Sequence, residues 1–143
     1  MKPVALALFG WLVPGGAYLL IDQSLYLEEP EGQPARDIGM FFTAGWADPT
    51  TSQMSQSLTL GINATGFVPS REGDSFGVMT SWVHLPGQDG VTQIHPFEWA
   101  TEVYYNIQIL PWASIRPAFD YIVSPSGIHP DAAVGMVRVE VDF

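Results

Sequence analysis

The feature that most constrains this chain is the strict alternation of its last segment: Val137, Val139, Val141 and Phe143 interleave with Arg138, Glu140 and Asp142. Successive side chains of an extended strand point to opposite faces, so this pattern gives one greasy face and one charged face. The stretch from Thr101 repeats it, with Val103, Tyr105, Ile107 and Ile109 set against Glu102, Tyr104, Asn106 and Gln108. Leu58, Leu60 and Ile62 alternate with Thr59, Gly61 and Asn63, and Phe76, Val78 and Trp82 alternate with Gly77, Met79 and Ser81, although Thr80 breaks that apolar row. No helical i, i+3, i+4 stripe of useful length competes with these runs. Further strands are predicted at Ala17–Leu27, Ile38–Trp46 and Ile115–Val123, which makes seven, or eight if Val4–Leu12 is counted.

The links fall at Gly, Pro, Asp and Ser clusters. Leu110–Ser114 and Phe67–Asp74 read as compact turns, whereas His84–Ala100 and Ser124–Ala132 are longer, so short and long links roughly alternate as in an antiparallel meander. The fold class is therefore all-β and antiparallel, with no internal domain linker.

Composition excludes several functions. Five basic against fifteen acidic residues give a net charge of −10, which repels phosphates and argues against nucleic acid as a partner. The absence of cysteine removes disulfides, thiolate metal ligands and thiol nucleophiles. His84, His95 and His129 lie in predicted loops without the spacing that puts two ligands on one metal, so neither a metal site nor a cofactor is expected. Ser81 and His84 are the nearest approach to a catalytic dyad, but three residues apart on a strand they point to opposite faces, and no enzyme is expected. Asn63-Ala64-Thr65 matches a glycosylation acceptor in the middle of a predicted strand, where the match is coincidental.

A soluble sandwich also alternates, so the choice between sandwich and membrane barrel rests on other signals. The strands run to about nine to eleven residues, the length a tilted strand needs to cross hydrocarbon, whereas soluble strands average about five or six. Trp46, Trp82, Trp99, Trp112 and Phe143 fall at strand ends, where an interfacial girdle would place them. Lipid offers no hydrogen-bond partners, so strands that cross it must pair until the sheet closes. An antiparallel transmembrane β-barrel is therefore the expected fold, with outer-membrane lipid as a partner. The alternative is a small closed barrel or soluble β-sandwich binding an apolar ligand. Residues 1–15 stand apart: Lys2 before the apolar run Val4–Val13 is signal-like, while Pro14, Gly15 and Gly16 interrupt any spanning helix, and an additional strand is the preferred reading.

From Gly16 to Phe143 the sequence resembles the carbohydrate-selective porins of the OprB family. The resemblance is carried in order by Asp22-Gln23 with Leu25-Tyr26, Ala44-Gly45-Trp46-Ala47-Asp48-Pro49, and Gly66 with Pro69, Arg71, Asp74 and Gly77. Glu102 with Tyr104-Tyr105 then leads to Pro111-Trp112, Pro117 opens a strand through Tyr121-Ile122 to Pro125 and Gly127, and Arg138 precedes the final Val-Asp-Phe. The terminal Phe143 after alternating valines is similar to the signal by which barrel assembly machinery engages a last strand. The resemblance implies a sixteen-stranded bacterial outer-membrane porin that passes carbohydrates and small solutes passively, with this chain as roughly its C-terminal half. Arg116 and Asp120 stand where the family usually has glutamines, and Gly135 is one position from the usual glycine, so sugar preference is open.

If the greasy face meets lipid, the opposite face carries the candidate pore-lining and sugar-contact residues Asp22, Glu102, Tyr104, Asn106, Gln108, Arg116, Asp120, Arg138, Glu140 and Asp142. Carboxylates, amides and guanidinium groups exchange hydrogen bonds with water at little net cost, as weak transit of a sugar requires. Arg71 and Asp74 read as a pair stabilising the turn between two strands.

Overall fold

The computed structural model describes residues 6–13, 15–29, 31, 35–50, 52–87 and 90–142, with side chains described from Gly15 onward. Eight strands form one antiparallel sheet in simple sequence order: β1 (Leu6–Val13), β2 (Gly16–Glu28), β3 (Arg36–Ala47), β4 (Gln56–Thr65), β5 (Ser75–His84), β6 (Phe97–Leu110), β7 (Ala113–Val123) and β8 (Ala132–Val141). The described residues thus build a single open layer, in which β1 and β8 are not hydrogen-bonded to each other. Neither a second packed sheet nor a small closed barrel is present among them, which removes both forms of the soluble alternative. Lys2, Val4, Pro14 and Phe143 lie outside the described residues.

Strands β2 to β8 are 10 to 14 residues long, enough to cross hydrocarbon at a tilt. β6 begins at Phe97 rather than near Thr101, because Phe97 and Trp99 continue the row of Val103 while Glu98 and Ala100 continue the other. Short and long links do not alternate cleanly: segments 14–15, 48–55, 85–96 and 124–131 lie at one end, and 29–35, 66–74 and 111–112 at the other. We call the first of these the wide-loop end.

Register carries the faces across the sheet. Ile62, Val78, Val103 and Phe119 are direct cross-strand neighbours in β4 to β7, and all four are exposed. The same face continues through Pro117 to Val137 and through Ile115 to Val139, valines that remain 69% and 65% exposed. Ala64 is the one hydrophobic residue buried among those described. A water-soluble fold would bury such a face, because each covered side chain is worth about 1.5–3 kcal/mol.

Thr80 interrupts this face in the sequence, and the structure explains why the interruption is tolerated. Its hydroxyl accepts a hydrogen bond from Trp99 Nε1 at 2.6 Å and lies 3.1 Å from Thr101 Oγ1. Both hydroxyls are therefore satisfied by protein, with no need of water.

The opposite face is lined by small and polar residues, and its glycines make room for aromatic rings. Phe41 lies over its cross-strand neighbour Gly61, and Tyr104 over its neighbour Gly77. A Cβ at Gly77 would stand 2.7 Å from the Tyr104 hydroxyl and 2.8 Å from the carbonyl oxygen of Ile62. The second of these is backbone and yields little. Gly77→Ala is expected to destabilise the fold by about 1–3 kcal/mol, read as a lower denaturant midpoint; an unchanged midpoint would show that the sheet absorbs the methyl.

Candidate functional site

The polar face is built from alternate residues of β2 to β8. Asp22 of β2 sits on it opposite Phe41, four strands away from the main cluster. The remaining sequence-predicted candidates gather on β6, β7 and β8 and the residue that follows. Glu102 faces Asp120 directly across β6 and β7, a like-charge pairing with no cation bridge to either among the described residues. Two residues along, Tyr104 pairs with Ala118.

Arg116 and Arg138 face each other across β7 and β8, a second like-charge pair. Glu140 relieves it, approaching Arg116 Nη2 at 3.8 Å and Arg138 Nη1 at 3.9 Å. The Arg116 guanidinium also lies 4.8 Å from the centre of the Tyr104 ring, within cation–π range. Arg116 Nε and the Oδ1 of buried Asn106 have no hydrogen-bond partner. Gln108 donates to the Leu110 carbonyl at 2.5 Å, and the backbone of Asp142 is held by the Trp112 carbonyl at 2.9 Å. The face therefore offers water a mixed wall: half-buried carboxylates toward the wide-loop end of β6 and β7, and an Arg–Glu–Arg group with an aromatic ring further along.

The tryptophans divide between the ends. Trp46, Trp82 and Trp99 stand on the apolar face near the wide-loop end, with Trp82 and Trp99 directly paired, and Trp112 occupies the 111–112 turn at the other.

Arg71 and Asp74 meet in the 66–74 link, where Arg71 Nε and Nη2 donate to the Asp74 carboxylate at 2.5 and 3.0 Å. Tyr105 Oη and the Gln108 backbone N–H donate to the same carboxylate at 2.7 and 2.8 Å. Asp74 is 2% exposed, and the Arg71 hydrogen bond, aided by those of Tyr105 and Gln108, holds its pKa down to about 2 against the opposing effect of burial. In the 48–55 link, the backbone N–H and hydroxyl of Thr50 likewise lower the pKa of Asp48.

Sequence reasoning placed His84 in a loop and missed its contact from the end of β5 to the 48–55 link: Ser55 Oγ lies 2.7 Å from His84 Nδ1, and the Ser55 N–H donates to the His84 carbonyl at 3.1 Å. His84 thus pairs with Ser55, not Ser81. Ser81 lies on the polar face, 3.0 Å from Thr59. Among the described residues no group of three or more His, Cys, Asp or Glu side chains could hold a metal ion.

A one-layer antiparallel meander of long strands, greasy on one face and polar on the other, defines the wall of a transmembrane β-barrel. Comparison with known proteins agrees. The family model for carbohydrate-selective porins, OprB family, matches residues 14–143. The chain belongs to the OprB family of carbohydrate-selective porins. No curated protein matches it. A solved structure of OprB from Pseudomonas putida, determined at high pH, is similar in fold, with a TM-score of 0.77 and 19% identity. The match covers 90% of this chain and 35% of that one, so the chain spans about a third of that protein's length.

Proposed function

We propose that this chain forms part of the wall of an outer-membrane channel through which carbohydrates and other small solutes diffuse passively. The observation that carries this reading is the division of the sheet: one face exposes Ile62, Val78, Val103, Phe119, Val137 and Val139, and the other holds Glu102, Asp120, Arg116, Arg138 and Glu140. Hydrocarbon suits the first and a watery passage the second. Membership in the OprB family supports an outer-membrane location and a channel rather than an enzyme. On this reading Asp22, Glu102, Tyr104, Asn106, Gln108, Arg116, Asp120, Arg138, Glu140 and Asp142 line the pore, and Trp46, Trp82, Trp99 and Trp112 anchor its rims. Passage needs no cofactor, because the solute moves down its own gradient and exchanges hydrogen bonds with the wall. On the same resemblance, β8 is the strand that barrel assembly machinery would engage.

Liposome swelling tests the proposal. Vesicles carrying the protein are expected to swell in isotonic glucose faster than protein-free vesicles. Insertion without any increase in swelling would sink the channel reading.

A further inference from the structure

Three links at the wide-loop end, held to one another or to neighbouring strand ends, enclose a cup at the rim of the polar face. The Ile94 and His95 N–H groups donate to the Gly127 carbonyl at 2.7 and 3.2 Å, tying the 85–96 link to the 124–131 link. Ser55 ties the 48–55 link to His84 at the end of β5. Ser126 N–H donates to Glu98 Oε2 at 2.6 Å, fixing the Pro125–Gly127 turn onto β6. Ser124 and Ser126 hold left-handed φ values of 51° and 57°, a conformation that costs non-glycine residues about 1–3 kcal/mol and persists where the surroundings impose it. Gly127 is left-handed as well, and a Cβ there would stand 2.6 Å from the His95 carbonyl oxygen.

Between these links lies a cavity of about 330 Å³, at the small end of the range for ligand sites. Its walls are of two kinds. Met54, Leu85, Val91 and Ile128 supply an apolar side, and Met54, Val91 and Ile128 remain exposed although they sit in links outside the strands. Gln53, Gln93 and Glu98 supply the polar side. Glu98 is the one charged group lining the cavity; it spends one carboxylate oxygen on Ser126 and keeps the other for a donor. Gln93 gives its amide N–H to the Leu85 carbonyl at 3.3 Å, which leaves its amide oxygen to accept. Glu98 pairs with Val83 across β5 and β6 on the polar face, so the cup opens at the mouth of the wall just described.

We propose that this cup binds a glycoside carrying an apolar aglycone, of the aryl glycoside class. Sugar hydroxyls are donors that a carboxylate and amide oxygens accept, and an apolar substituent is what the Met54, Leu85, Val91 and Ile128 wall rewards by burial. A free hexose satisfies only half of this surface. The inference rests on the porin reading for the sugar part of the ligand, and its test is separable from that reading.

The experiment is equilibrium binding of phenyl β-glucoside to the full chain in a zwitterionic micelle without sugar headgroups, with glucose as the comparison. Phenyl β-glucoside should bind with a Kd on the order of 1 mM and glucose about tenfold more weakly. Val91→Asp, in an exposed link outside the strands, should weaken the glycoside about tenfold and leave the circular dichroism unchanged. Glu98→Gln should weaken both ligands by about threefold or more, since it exchanges a charged acceptor for a neutral one. Equal binding of the two ligands, or binding unaffected by Val91→Asp and Glu98→Gln, would overturn the site. Swelling in glucose without such binding leaves the channel reading intact and rejects the cup; binding without swelling does the reverse.

Discussion

Replacing Asp74 by alanine is expected to cost about 3 kcal/mol of stability, the largest loss from any single side chain in the links. The carboxylate accepts four hydrogen bonds, two from Arg71 and one each from Tyr105 and the Gln108 backbone, while only 2% exposed. Removing it strands the donors of Tyr105 and Gln108 and leaves Arg71 without its counter-ion, and deleting one partner of a buried charged group costs about 3–5 kcal/mol. Arg71 keeps only a 3.4 Å contact to the Gln108 carbonyl and is itself partly solvated, which places the expected cost at the low end. Denaturant titration in lipid vesicles gives the difference directly. A loss below about 1 kcal/mol would mean that water replaces the carboxylate without penalty.

The same group makes stability pH-dependent with a definite sign. Asp74 ionises at about 2 in the folded protein against an ordinary value of 3.8, so its contribution is complete above that ordinary value and is lost as the pH falls through about 2. Other carboxylates also titrate in acid, so the readout is the difference between the native protein and Asp74→Asn. That difference should shrink steadily from about pH 4 to about pH 2. A constant difference across that range would show that ionisation of Asp74 is not what stabilises the link.

Why the turn lock was half legible in the sequence is instructive. Arg71 and Asp74 are three residues apart, so local spacing suffices to suggest the pair, whereas Tyr105 and Gln108 reach Asp74 from more than thirty residues away. The faces were legible for a similar reason. Alternation is a local property with a fixed period, and register then carries Val103 to Val78 and Phe119 without further information. Thr80 looked like an error in the pattern because its partners, Trp99 and Thr101, lie on another strand. The Ser55–His84 and Glu98–Ser126 contacts were invisible for the same cause: each joins a link residue to a strand end 29 or 28 residues away, and links have no period to read. The start of β6 was placed late because Pro96 and His95 precede it and the alternation from Phe97 to Ala100 is short. Family resemblance supplied what no local pattern could, the expectation that this open sheet is part of a larger closed wall.

The second large effect concerns two neighbours on β6. Val103→Arg is expected to destabilise the protein in a bilayer by about 2–4 kcal/mol, the cost of a guanidinium near the middle of the lipid face of a barrel. Val103 is 53% exposed, packed only sideways against Val78 and Phe119, so in water the same substitution would displace nothing and cost little. The penalty therefore measures the solvent that touches this face rather than the packing around it. Glu102→Arg, one residue away at almost the same depth, is the internal control. It points to the polar face opposite Asp120, where a cation replaces a like-charge pairing with an attractive one, and its expected change is within about 0.5 kcal/mol or slightly stabilising. Folding titrations of the two variants in lipid vesicles should thus diverge although the substituted positions are adjacent. Equal penalties would mean that both faces meet the same medium, and a penalty at Glu102 alone would place hydrocarbon on the charged side of the sheet.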